Sequence, residues 1–600
     1  MDAARYVVDA LERAGVRHVV VAPGSRSAPL VYALAEAEAD GRLRAHVRID
    51  ERVAGFTALG MAMGSGRPTA VLTTSGTAVG NLMPAVMEAN HAGIPLLVLS
   101  ADRPEEMRGT GANQTTVQLD LFGDHVRFAT DVAAGIDPTS AIATALSAAR
   151  GRLEGIPAGP VQVNLAFRDP LTPALDGSEW ERLLPVVAAP DAPGGPDAGG
   201  QDMDDAGTAP EGTMPDGTAA AIAATTAAIA PDLPAAAMPL PRTSHRTVVL
   251  AGHGAGPEAE FFARMLGLPL LAEPSSNARF GPNAIGPYRL LLARFGPQAD
   301  QPIERVVLFG RPTLSRQVTA LLARTDVERA LFQPEPVPWF EPGRRTELVL
   351  TQWDQLLGFA GRGPDGWLQA WQQAAAKAEE ALEAVLTQEA ADPTRKTAQL
   401  SGPQTARAVW TRAQLDHGSN LMLGSSNPVR DADLAARPTR ENNVTVHANR
   451  GLAGIDGTVA TASGIALATD RPTRVLLGDV TLLHDSGALN VGPGEQQPAI
   501  QVIVLNDHGG GIFSVLEHGT LAAVPHYAAT VERFFGTPHT VDLAALAAAY
   551  GWSHTLVRTA AELTAALAAP VRGHSMVEVA ASRLELRGLH ARIAAAITTP

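Results

Sequence analysis

Asp479 and Asp507 each end an apolar run, in RVLLGDV (474–480) and QVIVLND (501–507), and they stand 28 positions apart. That interval fits a strand, a crossover and a neighbouring parallel strand. Both carboxylates would then meet at the carboxyl edge of a sheet, where open α/β folds bind ligands. Two hard oxygen donors there, completed by a backbone carbonyl, suit Mg2+ holding a diphosphate. The run HGGGIFS (508–514) follows directly. Glycine costs conformational entropy wherever backbone must be fixed. Gly509, Gly510 and Gly511 in succession therefore predict something bulky or charged against bare backbone, with amides able to reach phosphate oxygens. Two unrelated acids in turns would share the same spacing. A third carboxylate, Glu51 in RIDERVAGFTALGMA (48–62), lies between a predicted strand and a predicted helix. Taken alone, beside Asp50 and Arg52, it reads as a solvated helix start.

The elements that must position these groups follow an αβ alternation. HVVVAP (18–23), AHVRI (45–49), TAVLTTS (69–75), PLLVLSA (95–101) and GPVQVNLA (159–166) read as short buried strands between Ala- and Leu-rich helices. This predicts a parallel sheet covered on both faces, in a first domain over 1–186. Residues 187–245 are rich in Pro, Gly, Asp and Ala and poor in large apolar side chains, the composition of a disordered insertion. Strands at 246–256, 305–310 and 328–333 predict a smaller central domain over 246–360, and 361–400 reads as a helix leading into a linker. A last αβ block over 401–600 has strands at 420–426, 444–449, 473–479, 499–507 and 575–580. The expected fold class is α/β, with three doubly wound parallel-sheet domains. The turn GHGAG (252–256) lacks the full spacing of a dinucleotide fingerprint and reads as a tight turn.

Composition narrows the function. Six hundred residues exceed one core. No apolar run is long enough to span a bilayer, and the acid-bearing amphipathic N-terminus is not a secretory signal. Net charge of −15 argues against general nucleic-acid binding. Cysteine is absent, which removes disulfides and thiolate chemistry and fits a cytoplasmic location. Lys377 and Lys396, the only lysines, lie in polar helix-like or linker sequence, which disfavours pyridoxal-phosphate chemistry.

G-D-x followed about thirty residues later by N-D resembles the thiamin-diphosphate motif of the decarboxylase and carboligase superfamily. Denser matches are APGSRSAPL (22–30), TTSGTAVGNLMPAVMEA (73–89), ADRPEEMRGTGANQTT (101–116), GSSNPVR (424–430), ANRGLAGIDG (448–457) and GGGIFSVLE (509–517). Together these resemble the family of 2-succinyl-5-enolpyruvyl-6-hydroxy-3-cyclohexene-1-carboxylate synthases of menaquinone biosynthesis, densely over 1–130 and 420–520. The resemblance implies thiamin diphosphate with Mg2+ or Mn2+, 2-oxoglutarate and isochorismate as substrates, no membrane insertion, and at least a homodimer, with a homotetramer expected. The nearest rivals are an acetolactate-synthase-like carboligase and a cofactor-binding protein without turnover.

Residue by residue, the resemblance implies metal ligation by Asp479, Asp507 and the Gly509 carbonyl. Cofactor contacts fall to Glu51, Ser75, Gly76, Thr77, Ile455, Gly478, Gly510, Gly511 and Ile512, with Glu51 hydrogen-bonding the aminopyrimidine ring. Both substrates are dicarboxylates, and the planar guanidinium fork pairs with a carboxylate through two hydrogen bonds. Ser25, Arg26, Arg103, Asn113, Gln114, Ser426, Arg430 and Arg450 would line that site, with Arg26, Arg103, Gln114, Arg430 and Arg450 joining Glu51 in catalysis. Arg316 is a weaker match, because the family's basic pair is Ser315-Arg316 here. Phe513 and Leu516 would complete an apolar wall.

Overall fold

A computed structural model describes residues 2–176, 239–341, 343–391 and 400–598. The elements below belong to one compact body formed by residues 1–171 and 238–600. Most of the expected insertion, 187–238, lies outside the described residues.

Three all-parallel sheets form the body. The first holds β1 (His18–Val21), β2 (Arg44–Val47), β3 (Thr69–Thr73), β4 (Leu96–Asp102), β5 (Ala129–Val132) and β6 (Val161–Ala166), in the order β2-β1-β3-β4-β6-β5. The second holds β7 (Thr247–Ala251), β8 (Leu270–Ala272), β9 (Arg305–Phe309), β10 (Glu328–Phe332) and β11 (Leu348–Leu350), in the order β11-β10-β9-β7-β8. The third holds β12 (Ser419–Leu423), β13 (Val444–His447), β14 (Thr473–Gly478), β15 (Ile500–Asn506), β16 (Ser553–Val557) and β17 (His574–Ala580), in the order β13-β12-β14-β15-β17-β16. Strand for strand, the first and third orders are the same. Every residue of β3, β4, β6 and β15 is buried, as a parallel sheet covered on both faces requires.

The first and third sheets share a core through two crossing helices, Glu51–Ser65 and Thr458–Thr469. Glycines make the crossing close. A Cβ on Gly60 would lie 2.0 Å from the Thr461 carbonyl oxygen, and one on Gly464 would lie 2.0 Å from that of Thr57. Asp50 caps the first of these helices by accepting from the Arg52 and Val53 amides at 2.8 and 3.2 Å, which leaves Glu51 as its first residue.

Two expectations shift. The segment 361–400, read as a helix leading into a linker, does carry the helix Trp367–Ala391, but Trp367 and Trp371 on it are fully buried in the core of the second sheet. Trp371 stacks on Phe295 at 3.9 Å between ring centroids, so this helix belongs to the central unit's core. The region read as insertion reaches too far, because Thr243, Ser244 and His245 pair with Arg362. No described helix is long and apolar enough to cross a membrane.

Candidate active site

The third sheet brings four loop starts to its carboxyl edge. Ser425 and Ser426 follow β12, Arg450 follows β13, Asp479 follows β14 and Asp507 follows β15. β12 and β14 are neighbours from which the chain runs in opposite directions, so Ser426 and Asp479 flank the topological switch point. The first sheet repeats the arrangement, with Ser25 and Arg26 after β1 and Ser75, Gly76 and Thr77 after β3.

Asp479 is buried. Its Oδ2 accepts from the Gly509 amide and from His539 Nε2, both at 3.0 Å, and its Oδ1 accepts from the Val480 amide at 2.7 Å. Burial and the charge of Asp479 push the neighbouring Asp507 carboxyl up to about 7. A cation between two such carboxylates would offset their repulsion. Among the described residues no group of three or more His, Cys, Asp or Glu is placed to hold a metal by itself. The donor set of two carboxylates and a carbonyl is hard, and it fits Mg2+ or Mn2+ completed by phosphate oxygens and water. A Cβ on Gly478 would meet nothing within 4 Å, so the approach beside Asp479 is open.

The glycine run behaves differently from the open phosphate nest expected of it. Its amides are engaged: Gly509 N–H on Asp479, Gly510 N–H on the Gly536 carbonyl at 2.7 Å, and Gly511 N–H on the Gly509 carbonyl at 3.0 Å. What presses on the bare backbone is protein. A Cβ would lie 2.2 Å from the Gly536 oxygen at Gly509, 2.4 Å from the Phe535 oxygen at Gly510, and 2.2 Å from Asp507 Oδ2 at Gly511. His539 and the 535–536 backbone lie outside every matched motif, and no sequence signal pointed to them.

In the first unit, Arg103 is buried and its Nη1 donates to Ser75 Oγ at 2.8 Å and to the Gln114 carbonyl at 2.9 Å. Gln114 returns a bond from Nε2 to the Ser75 carbonyl at 2.8 Å, and Gln118 Oε1 accepts from the Gly76 amide at 2.8 Å. Gln118 lies four residues beyond the GANQ match and was not singled out. Arg26 donates to the Phe167 carbonyl at 3.1 Å, and its pKa is lowered by burial and by the charge of Arg103. Ser25, Asn113 and Gln114 are exposed.

In the third unit, Arg430 Nη1 donates to the Ser426 carbonyl at 2.7 Å, and burial and Arg289 lower its pKa. Arg450 is buried and bonded to Thr313 and Ser425. Ile455, Ile512, Phe513 and Leu516 are half-buried. Arg316 is exposed and forms a bidentate pair with Glu517 at 2.5 and 3.1 Å. Ser315 caps the helix Arg316–Leu322 by accepting from the Val318 amide. Backbone strain gathers at these loops: Gln114, Ser426, Ala453 and His508 hold φ of +60, +74, +61 and +60°, a region costly for residues other than glycine.

Glu51 Oε2 accepts from Asn81 Nδ2 at 3.3 Å. Its neighbour Arg52 donates to the His484 carbonyl, at the far end of the helix that Asp479 begins.

Comparison with known proteins matches residues 1–122 to the thiamine pyrophosphate enzyme N-terminal TPP binding domain and 432–579 to the C-terminal TPP binding domain. The benzoylformate decarboxylase of Polynucleobacter necessarius shares the fold, with a TM-score of 0.62 at 16% identity over 97% of this chain and 98% of that one. 2-Succinyl-5-enolpyruvyl-6-hydroxy-3-cyclohexene-1-carboxylate synthases are far more similar in sequence. Those of Arthrobacter sp. (strain FB24) and Renibacterium salmoninarum are each 57% identical across 100% of this chain and 92% and 97% of their own lengths. That of Kineococcus radiotolerans is 46% identical across 99% of this chain and 98% of its own. Identity of that extent, spanning both cofactor-binding domains, places this chain in the 2-succinyl-5-enolpyruvyl-6-hydroxy-3-cyclohexene-1-carboxylate synthase family of thiamine pyrophosphate enzymes.

Proposed function

We propose that this chain decarboxylates 2-oxoglutarate and adds the resulting succinyl unit to isochorismate in a 1,4 sense. The products are 2-succinyl-5-enolpyruvyl-6-hydroxy-3-cyclohexene-1-carboxylate and CO2, in the cytoplasmic synthesis of menaquinone. The observation that carries the reading is 57% identity along the whole chain to synthases named for that product.

Asp479, Asp507 and the Gly509 carbonyl would hold Mg2+, or Mn2+ in its place, and through it a diphosphate. Bound thiamin diphosphate supplies an electron sink for loss of the carboxylate. The chain's own residues bind, orient and move protons. Glu51, which accepts from Asn81, would share a proton with ring nitrogen N1′. Arg26 and Arg103 in the first unit, and Arg430 and Arg450 in the third, would take the carboxylates of the two substrates and hold them for an effectively intramolecular addition. Gln114, fixed on Ser75, and Ser25, Asn113 and Ser426 add polar contacts. Ile455, Ile512, Phe513 and Leu516 would exclude water, which strengthens each charge pairing inside.

The likeness to thiamine pyrophosphate enzymes favours a homodimer at minimum, and a homotetramer as two such pairs. Each diphosphate corner would then be completed by the Glu51 of another copy.

The test is CO2 release from 2-oxoglutarate with thiamin diphosphate and Mg2+, with and without isochorismate. Strong stimulation by isochorismate with a succinylated product is expected. Release from pyruvate instead would make the chain an acetolactate-synthase-like carboligase. No turnover with any 2-oxo acid would leave a cofactor-binding protein.

A further inference from the structure

Arg450 is a buried cation that, among the described residues, has no carboxylate in hydrogen-bonding reach. Its Nε and Nη2 donate to Thr313 Oγ1 at 3.1 and 2.9 Å, Nη2 also to the Thr313 carbonyl at 3.1 Å, and Nη1 to Ser425 Oγ at 3.4 Å. All these acceptors are neutral, so the arginine is fixed in direction and keeps its charge.

Two buried carboxylates from the other units stand behind it. Glu273, which follows β8 in the second sheet and is 0% exposed, accepts from the Thr313 and Leu314 amides through Oε1 at 2.7 and 3.0 Å. Glu88, on the helix Met83–Ala92 of the first unit, accepts from the Gly451 and Leu452 amides at 2.7 and 2.8 Å. The Gly451 carbonyl accepts from Arg311 at 3.0 Å, and a Cβ at Gly451 would lie 2.7 Å from the Glu88 carbonyl oxygen. Neither glutamate forms an ion pair among the described residues. Burial disfavours both charges, and Arg450 is a cation that opposes the shift in each.

A carboxylate touching Arg450 would neutralise it, whereas one that grips the backbone on either side fixes it without quenching it. We propose that Glu88 and Glu273 are positioning residues for Arg450, holding it through the 451–452 amides and through Thr313 so that its charge remains available to a substrate carboxylate. The inference rests on the proposed function in taking Arg450 as a substrate arginine.

The test uses the holoenzyme with Glu88→Gln, Thr313→Val and Thr313→Ser. Amide hydrogen exchange at Gly451 and Leu452 reads the clamp directly, and KM, kcat and thiamin diphosphate affinity read its consequence. Glu88→Gln should speed exchange at those two amides and raise KM for at least one dicarboxylate about tenfold, the loss expected for one charge-assisted hydrogen bond. Cofactor affinity and kcat should stay within about twofold, the pattern of lost uniform binding. Thr313→Val should raise the same KM, and Thr313→Ser, which keeps the hydroxyl, should restore it. Unchanged exchange, or unchanged KM for both substrates with kcat and cofactor affinity falling together, would overturn the proposal. If Glu88→Gln does not fold, the Thr313 pair decides. If the wild type does not release CO2, the proposed function fails while the exchange measurement still judges the clamp.

Discussion

Gly511→Ala isolates the metal corner with one added methyl group. Gly511 has φ of −56° and ψ of −27°, helical values that alanine adopts freely, so the substitution carries no backbone strain. Its Cβ would lie 2.2 Å from Asp507 Oδ2 and 3.4 Å from Asn427 Nδ2. Ordinary carbon–oxygen contact begins above 3 Å, so the carboxylate must retreat by roughly 1 Å. Metal–ligand distances tolerate only about ±0.2 Å, so a retreat of that size would take Asp507 out of the coordination sphere proposed for it and Asp479. Disturbing the support of a ligand costs about 10- to 100-fold in metal affinity, and displacing the ligand itself belongs at the upper end, about 3 kcal/mol. The assay is quenching of tryptophan fluorescence by thiamin diphosphate across a Mg2+ titration, with far-UV circular dichroism as the control for folding. A Mg2+ dependence within twofold of wild type, in a folded variant, would refute the placement of Asp507 as a ligand.

Three further outcomes follow from the same geometry. Glu51→Gln should bind thiamin diphosphate and Mg2+ normally and lose about 10^2- to 10^4-fold in turnover, the usual worth of a positioned acid–base group; normal turnover would remove its proton role. Gly464→Ala drives a Cβ to 2.0 Å from the Thr57 carbonyl, so urea unfolding should show a loss of about 1–3 kcal/mol or more, and an unchanged midpoint would mean the helices can slide apart. Asp485 accepts from the Val459 and Ala460 amides at 2.8 and 3.0 Å, and burial pushes its carboxyl up to about 7. A folded value above the unfolded one, about 4, means this group's stabilisation is fully present below pH ~4 and is lost as pH rises through 7. Asp485→Asn keeps an acceptor and removes the titration, so its stability relative to wild type should rise between pH 5 and pH 8; a flat difference would show Asp485 ionised in both states.

What the sequence made legible is clearest in the sheet centres, and what it hid lies at sheet edges. The central strands announced themselves as apolar runs because both their faces are covered, as at TAVLT and QVIVL. The strands missed outright, β5, β8, β11 and β16, are all at sheet edges. SHTLV of β16 is mostly exposed and carries no continuous apolar signal. The pairing of Asp479 with the glycine run was legible from spacing, since parallel neighbours must end together. The reason for the glycines was not. Residues 535–536 reach them from outside the motif, and nothing local to GGG encodes that approach.

The proposed reaction site is assembled from two copies of this chain, Glu51 from one and the Asp479 and Asp507 corner from the other. Co-expression of Glu51→Gln with Asp507→Ala, each inactive alone and each carrying a different affinity tag, tests it most directly. A shared site predicts that doubly tagged hybrids regain activity, since one of the two sites in each hybrid pair receives both intact residues, and that an unsorted mixture shows about a quarter of wild-type turnover. Hybrids that remain as inactive as their parents would contradict the account and place Glu51 and Asp507 in the same chain's site.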